Sequence, residues 1–486
     1  MGESRMGSTA TESVEEIDSR LVKKGKWYNN WKWITSGIVI IIALILAALN
    51  YYQAKHFNAN IKINGVNVGG LTSDEALNKL KSSVLKNVVY VGEKQIFDGK
   101  DTKLGFSDQD LSGVNKLLKS QQTVFPSSKE KDYSLVPNSG DPYRTQEMKK
   151  LVEEKLAALN NNLTPPVDAK ATLQQGQIVI TKSNNGEQYD VASLIKAYEK
   201  QQYASEIHLD PVYIQPIKED SETVKNEQKT LQTLLQQKVD YKVQNQVYSL
   251  KASDLIKSAT VSKDLKVTID GADIKNKLAE INDSQSTLDK DFTFKTHSGS
   301  VIKVKGQGYG WALDVDKEAA RIQAAFEKGE SSTAASNIIG HGWSGEGYGY
   351  DITSNNGIGD TYAEVSIAEQ KIWIYKNGKL VVTSNVVTGK HSTGEDTSKG
   401  VWYILYKRTP SILRGSHVGL GSYEVKVNYW APFTNSGQGF HDASWRTNWS
   451  STAYLKAGSG GCVNTPSSVM KTVYNNLSTH EPVVIY

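Results

Sequence analysis

The chain has 486 residues, room for about three domains at roughly 150 residues each. Its 56 Lys and Arg against 52 Asp and Glu leave a net charge of +4, which argues against a dedicated nucleic-acid binder. A content of 38% hydrophobic and 22% charged residues excludes a multi-span membrane protein and a disordered tail. One cysteine, Cys462, excludes an intramolecular disulfide, a cysteine-based zinc site and a lipoprotein anchor near the N-terminus.

From Ile38 to Leu49 every residue is apolar, and Trp33 to Gly37 extend the run without a charge. Trp27, Tyr28, Trp31 and Trp33 on one side and Tyr51 and Tyr52 on the other form the expected aromatic belts. Lys23, Lys24, Lys26 and Lys32 precede the run, and Lys55 is the one nearby lysine after it. The positive-inside rule then predicts a cytoplasmic tail over 1–32, a transmembrane helix over 33–52, and the rest of the chain outside. A cleaved signal peptide is the alternative. The long basic stretch before the run and the lack of an A-x-A site after it oppose that reading.

Residues 57–345 carry a diluted repeat. Ile61 to Leu71 reads as a hairpin turning at Asn64-Gly65, and Thr72 with Glu75 has capping-box spacing. Leu159-Asn160, two short strands, Gly186, Asp190-Val191 and a helical run form one copy. Ile281-Asn282, two strands, Gly310, Asp314-Val315 and a helix form the other. Strands alternating with amphipathic helices predict two α+β modules, over 57–217 and 218–345. They resemble the peptidoglycan-binding domains found between a membrane anchor and a cell-wall enzyme, and a plain spacer is the competing reading. The glycine-rich stretch His341 to Tyr350 lacks the lysine of a phosphate loop and reads as a linker.

From Asp360 the pattern changes to short strands. Ala363, Val365 and Ile367 alternate with polar residues; Ile372–Tyr375 and Leu380–Val382 flank the type I′ turn Asn377-Gly378. Further strands are expected at 386–389, 401–405 and 483–486, with one helix over 466–477 capped by Thr465 and started by Pro466. Residues 360–486 therefore predict a mainly β domain. Its chemistry lies in Gly439-Phe440-His441-Asp442 and Ser459-Gly460-Gly461-Cys462-Val463-Asn464. A thiol needs a base, and His441 can serve. A helix start after Cys462 would favour the thiolate, and the glycines let backbone amides turn toward an oxyanion.

The histidine, a spacer and then Ser-x-Gly-Cys-x-Asn resemble the signature of the L,D-transpeptidases that cross-link peptidoglycan. The run Val365 to Gly378, Val387-Thr388-Gly389 and Tyr429 to Phe433 carry the same resemblance. It implies Cys462 as nucleophile and His441 as proton acceptor and donor. It also implies that the Ser459 carbonyl orients the imidazole and that amides near Gly461 and Cys462 form the oxyanion hole. Peptidoglycan stem peptides would be donor and acceptor, glycan strands a further partner, and carbapenems acylating agents. No metal or organic cofactor is required. Two departures stand out: Gly460 replaces the histidine that often follows the serine, and Thr397 to Gly400 lacks a common proline. The alternatives are an inactive wall-binding protein, a cysteine peptidase and a sortase-like transpeptidase. The last is disfavoured because no arginine follows Arg446.

Overall fold

Nothing between Trp33 and Leu49 interrupts a helix, and the first element of the computed structural model is the helix Tyr28–Lys55. The structure describes residues 28–121, 125–139, 142–201, 203–204, 206–419 and 421–486. Lys23, Lys24, Lys26 and Trp27, and with them most of the expected tail 1–32, lie outside the described residues. The stretch Trp31–Lys55 is long and apolar enough to cross a membrane, and its apolar window has no buried residue. A helix of this kind near an N-terminus fits an anchor and a signal sequence alike.

The chain divides into two compact units, one of residues up to Pro166 with Asn185–Gln215, the other of Val167–Asn184 with Pro216–Tyr486. In the first unit the hairpin Ile61–Ile63 with Val66–Asn67 turns at Asn64 and Gly65, whose φ values of 50° and 78° are those a type I′ turn requires. Thr72 and Glu75 form a reciprocal capping box on the helix Ser73–Ser82. That helix buries Leu77 and Leu80 against Val114 and Leu118 of the helix Leu111–Ser120. A separate core joins Val89 and Val91 to Val152, Leu156, Leu194 and Tyr198. The stretch 57–217, expected as one module, is therefore divided differently: it has two cores, and its hairpin at 170–181 belongs to the second unit.

The repeat is built as its sequence offsets suggest. Asn160 Oδ1 accepts from Tyr189 N–H at 2.8 Å, and Asn282 Oδ1 accepts from Leu313 N–H at 2.7 Å. Asp190 accepts from Ser193 N–H at 3.1 Å at the start of Val191–Gln201; Asp314 accepts from Lys317 N–H at 3.2 Å at the start of Val315–Lys328. Each copy closes with a strand, Ile207–Leu209 or Ser332–Ala334, laid parallel to its own earlier hairpin strand. The internal hairpins go elsewhere. Lys170–Gln174 pairs with Ala259–Val261. The hairpin Asp291–Lys295 with Val301–Lys305 puts Phe292, Phe294 and Val304 into a shared core with Val401, Tyr403 and Val484 of the C-terminal domain.

The C-terminal domain has a five-stranded sheet in the order Lys379–Asn385, Lys371–Lys376, Tyr362–Ser366, Pro482–Ile485, Gly400–Tyr403. Both expected turn residues, Asn377 and Gly378, have positive φ. The alternation in Tyr362–Ser366 implies one wet face, yet every residue of that strand is buried. One face packs on the helix Ser467–Asn476 through Met470 and Val473. The other lies under the repeat's hairpin, where Glu364, 0% exposed, accepts from His297 N–H and Nδ1, both at 2.9 Å, and from Tyr486 Oη at 2.6 Å. A second sheet pairs Trp430–Pro432 antiparallel to Gly439–Asp442 and Gly439–Asp442 parallel to Val463–Thr465. The expected strand at 386–389 makes only isolated bridges, Val387 with Asn464 and Gly389 with Ser459.

Three local expectations are corrected. Pro466 is the N-cap, with ψ 134°, rather than the first helical residue, and Thr465 Oγ1 donates to Val463 O instead of capping. The strand Val463–Thr465 and the N-cap Pro466 lie between Cys462 and the helix, so the thiol does not sit directly at the helix start as expected. The stretch 341–350 is not a slack linker: the Tyr348 ring stacks on His480 at 4.3 Å.

Candidate active site

The parallel pair Gly439–Asp442 and Val463–Thr465 sets the site. In its register His441 lies opposite Asn464. Side chains alternate with a period of two, so Cys462, two residues before Asn464, falls on the face that carries His441. Both side chains open into one cavity of about 280 Å³, lined also by Gly460, Tyr423, Trp445 and Arg446.

Cys462 is 8% exposed, and its S–H donates to the Gly437 carbonyl at 3.6 Å. Burial pushes the thiol up to about 11, so it is protonated at neutral pH. His441 is buried as well, and burial, with Arg446 adding to it, holds the imidazole below its ordinary 6.5. The resting pair is a thiol and a neutral imidazole. Nδ1 donates to the Asp442 main-chain carbonyl at 2.9 Å, which leaves the lone pair on Nε2. The Asn464 amide, with its oxygen toward Arg446 Nε at 3.1 Å and Nη2 at 3.0 Å, donates to Nε2 at 3.1 Å and fixes the same tautomer.

The orienting carbonyl therefore differs from the one the resemblance implies. The Ser459 carbonyl accepts from Lys390 N–H at 2.8 Å, and the carbonyl of Asp442, next in sequence to the imidazole, takes the role on His441. Ser459 instead ties the thiol's turn: its Oγ donates to Cys462 O at 2.5 Å and accepts from Gly461 N–H at 3.1 Å. The Gly461 amide is thus occupied, while its carbonyl accepts from Thr397 Oγ1 at 2.8 Å. Gly461 has φ 111°, a conformation open mainly to glycine, and a Cβ there would lie 2.6 Å from Gln438 Nε2. The Asp442 carboxylate faces away from the imidazole and accepts from Asn428 and Tyr429 N–H at 2.8 and 2.9 Å.

Sequence reasoning brought Cys462, His441, Ser459 and Gly461 to one place and missed Arg446 and Asn464 as members of the site. Asn464 stood in the quoted motif; its position opposite His441 needed the register. Arg446 carried no local signal, because it is placed by its bond to the Ala457 carbonyl.

Residues 360–485 match the family model described as L,D-transpeptidase catalytic domain, and residues 220–335 match one whose description assigns it to peptidoglycan binding. Among solved structures, the crystal structure of a cysteine-to-serine mutant of an Enterococcus faecium L,D-transpeptidase is 26% identical, covers 53% of this chain and 99% of its own, and has a TM-score of 0.45. The NMR structure of the catalytic domain of an E. faecium L,D-transpeptidase acylated by ertapenem is 37% identical over 26% of this chain and 97% of its own, at a TM-score of 0.24. Among curated proteins there is no match.

Proposed function

Residues 360–485 are an L,D-transpeptidase catalytic domain, and from that premise we propose that Cys462 and His441 form peptidoglycan cross-links on the outer face of a bacterial membrane. The substrate is a tetrapeptide stem. For attack the thiol turns from the Gly437 carbonyl and the Asn464 amide gives up Nε2, so that His441 Nε2 takes the thiol proton as Sγ attacks the carbonyl before the terminal D-alanine. The oxyanion is received by main-chain amides of the 460–462 turn. Gly461 N–H is taken by Ser459, so those of Gly460 and Cys462, which no turn bond among the described residues engages, serve. The imidazolium returns its proton to the departing amine of D-alanine, leaving a thioester. An amine of a second stem then attacks, its proton passes to His441, and the thiol is restored as the new amide forms.

The observation that carries this reading is the register that puts Cys462 and His441 on one face above a single cavity. Arg446 supplies the positive charge there that the stem's terminal carboxylate calls for. The repeats bring the domain to its polymer, and the helix Tyr28–Lys55, with Lys32 before its apolar core, anchors the chain with the catalytic domain outside. Intact mass spectrometry of the chain incubated with a tetrapeptide stem tests the acyl-enzyme. The expected result is a gain of the stem less D-alanine, mapped to Cys462. An adduct elsewhere, or none while D-alanine is released, overturns the assignment.

A further inference from the structure

The second unit holds another, larger cavity of about 470 Å³, within the range of roughly 300–1,000 Å³ of small-ligand sites. One wall is the segment 341–348, between the two stretches matched to known families; the other is the C-terminal domain. The walls are aromatic, with Trp343, Tyr348, Tyr403, Tyr406 and Trp430, and the Asn435 amide stands among them. Tyr348 is held 4.4 Å from the Tyr403 ring. Trp343 is 97% exposed. It rides on a tied turn: Gly340 N–H donates to Gly345 O and Gly342 N–H to Glu346 O, both at 2.8 Å. Gly345 takes φ 87°. An indole held out in water on a fixed turn has the character of a recognition element, since tryptophan offers a large apolar face at little entropic cost.

Charge decides what the cavity suits. Among the described residues no lysine, arginine, aspartate or glutamate lines it, and of its two histidines, His341 and His480, the first is bonded to Asp289 at 2.7 Å, whereas Arg446 lines the thiol cavity. A stem peptide carries carboxylates and amines and belongs with the arginine. A neutral pyranose presents apolar C–H faces that stack on aromatic rings, and an acetamido group matches an asparagine side chain. The position agrees. The polymer handled by both matched stretches has to pass the segment that joins them. Gly437, which also lines this cavity, supplies the carbonyl that accepts the Cys462 S–H.

We propose that this cavity is a saccharide subsite that holds an N-acetylhexosamine of the glycan strand while a stem of that strand occupies the thiol cavity. The proposal rests on the peptidoglycan reading above. It is tested on the full chain in detergent with N,N′-diacetylchitobiose carrying a diazirine, by photolysis and peptide mapping. Label is expected on peptides containing residues 341–348 or 430–437, reduced at least fivefold by Trp343→Ala, and competed by unlabelled chitobiose but not by a sugar-free tetrapeptide stem. Label confined to other peptides, equal labelling of Trp343→Ala, or competition by the stem overturns it. Acylation of Cys462 by a carbapenem, read by intact mass on the same samples, is expected to be equal in both proteins. Acylation without labelling sinks the saccharide subsite alone. Absence of acylation in the unaltered chain sinks the transpeptidase reading, and the subsite falls with it.

Discussion

At Cys462 burial raises the thiol to about 11, and at His441 burial lowers the imidazole, so neither group is charged when the site is empty. Proton transfer then belongs to the attack itself, and this has a pH signature. Because the imidazole stays neutral to below 6.5 and the thiol stays protonated to about 11, acylation by a carbapenem should be flat from about pH 7 to about pH 9 and fall on the acid side. His441→Gln should slow acylation by about two to four orders of magnitude, and its rate should rise about tenfold per pH unit, because only preformed thiolate reacts. Stopped-flow measurement of both proteins checks this; a tenfold rise per unit in the unaltered chain would show that His441 is not the base. Gly461→Ala asks a non-glycine residue to adopt φ 111°, at a cost of about 1–3 kcal/mol. It is expected to slow acylation more than it shifts the urea midpoint, because the strained turn holds the nucleophile. Equal small effects on both would detach the turn from the reaction. Cys462 and His441 were singled out by residue type and spacing, and the fold brings both to one cavity. The orienting carbonyl was not legible, since a main-chain oxygen leaves no trace in the side-chain sequence, and the resemblance pointed to Ser459 instead of Asp442.

At the scale of elements, the features read correctly were those with local causes. Asn64-Gly65 and Asn377-Gly378 turn hairpins because they accept positive φ, and Thr72 with Glu75 closes a capping box within four residues. The hairpin Ser411–His417 with Gly421–Val427 went unread although Tyr423, Val425 and Val427 alternate with exposed Glu424 and Lys426; its first strand, with Ile412-Leu413 adjacent and Gly415 after them, shows no such period. Glu364 was legible only as the polar partner in an alternating strand; its burial depends on a hairpin some seventy residues earlier. That hairpin makes a prediction. His297→Ala removes one donor to a buried carboxylate and a ring stacked 3.6 Å from Trp373, and should lower stability by about 1–3 kcal/mol. Urea unfolding of the ectodomain measures it, and an unchanged midpoint would show that the contact is idle.

For the whole molecule, the repeats and the catalytic domain are joined by more than chain connectivity, since Phe292, Phe294 and Val304 complete a core with Val401, Tyr403 and Val484. A chain beginning at Asp360 exposes that face of its sheet and should melt roughly 5 °C or more below one beginning near Ser286. Equal melting temperatures would return the repeats to the role of spacer. Orientation is tested by adding protease to wall-stripped cells, which should digest the chain beyond Tyr52; a protected catalytic domain would reverse the topology. The central claim is that Cys462 transfers an acyl group from one stem to another, and the most direct measurement is mass spectrometry of the products formed by the full chain from purified tetrapeptide stems. The account predicts a dimer lighter than two stems by one D-alanine and water-balanced as a new amide, absent with Cys462→Ala. Free tripeptide alone, or a dimer that persists in Cys462→Ala, would contradict it.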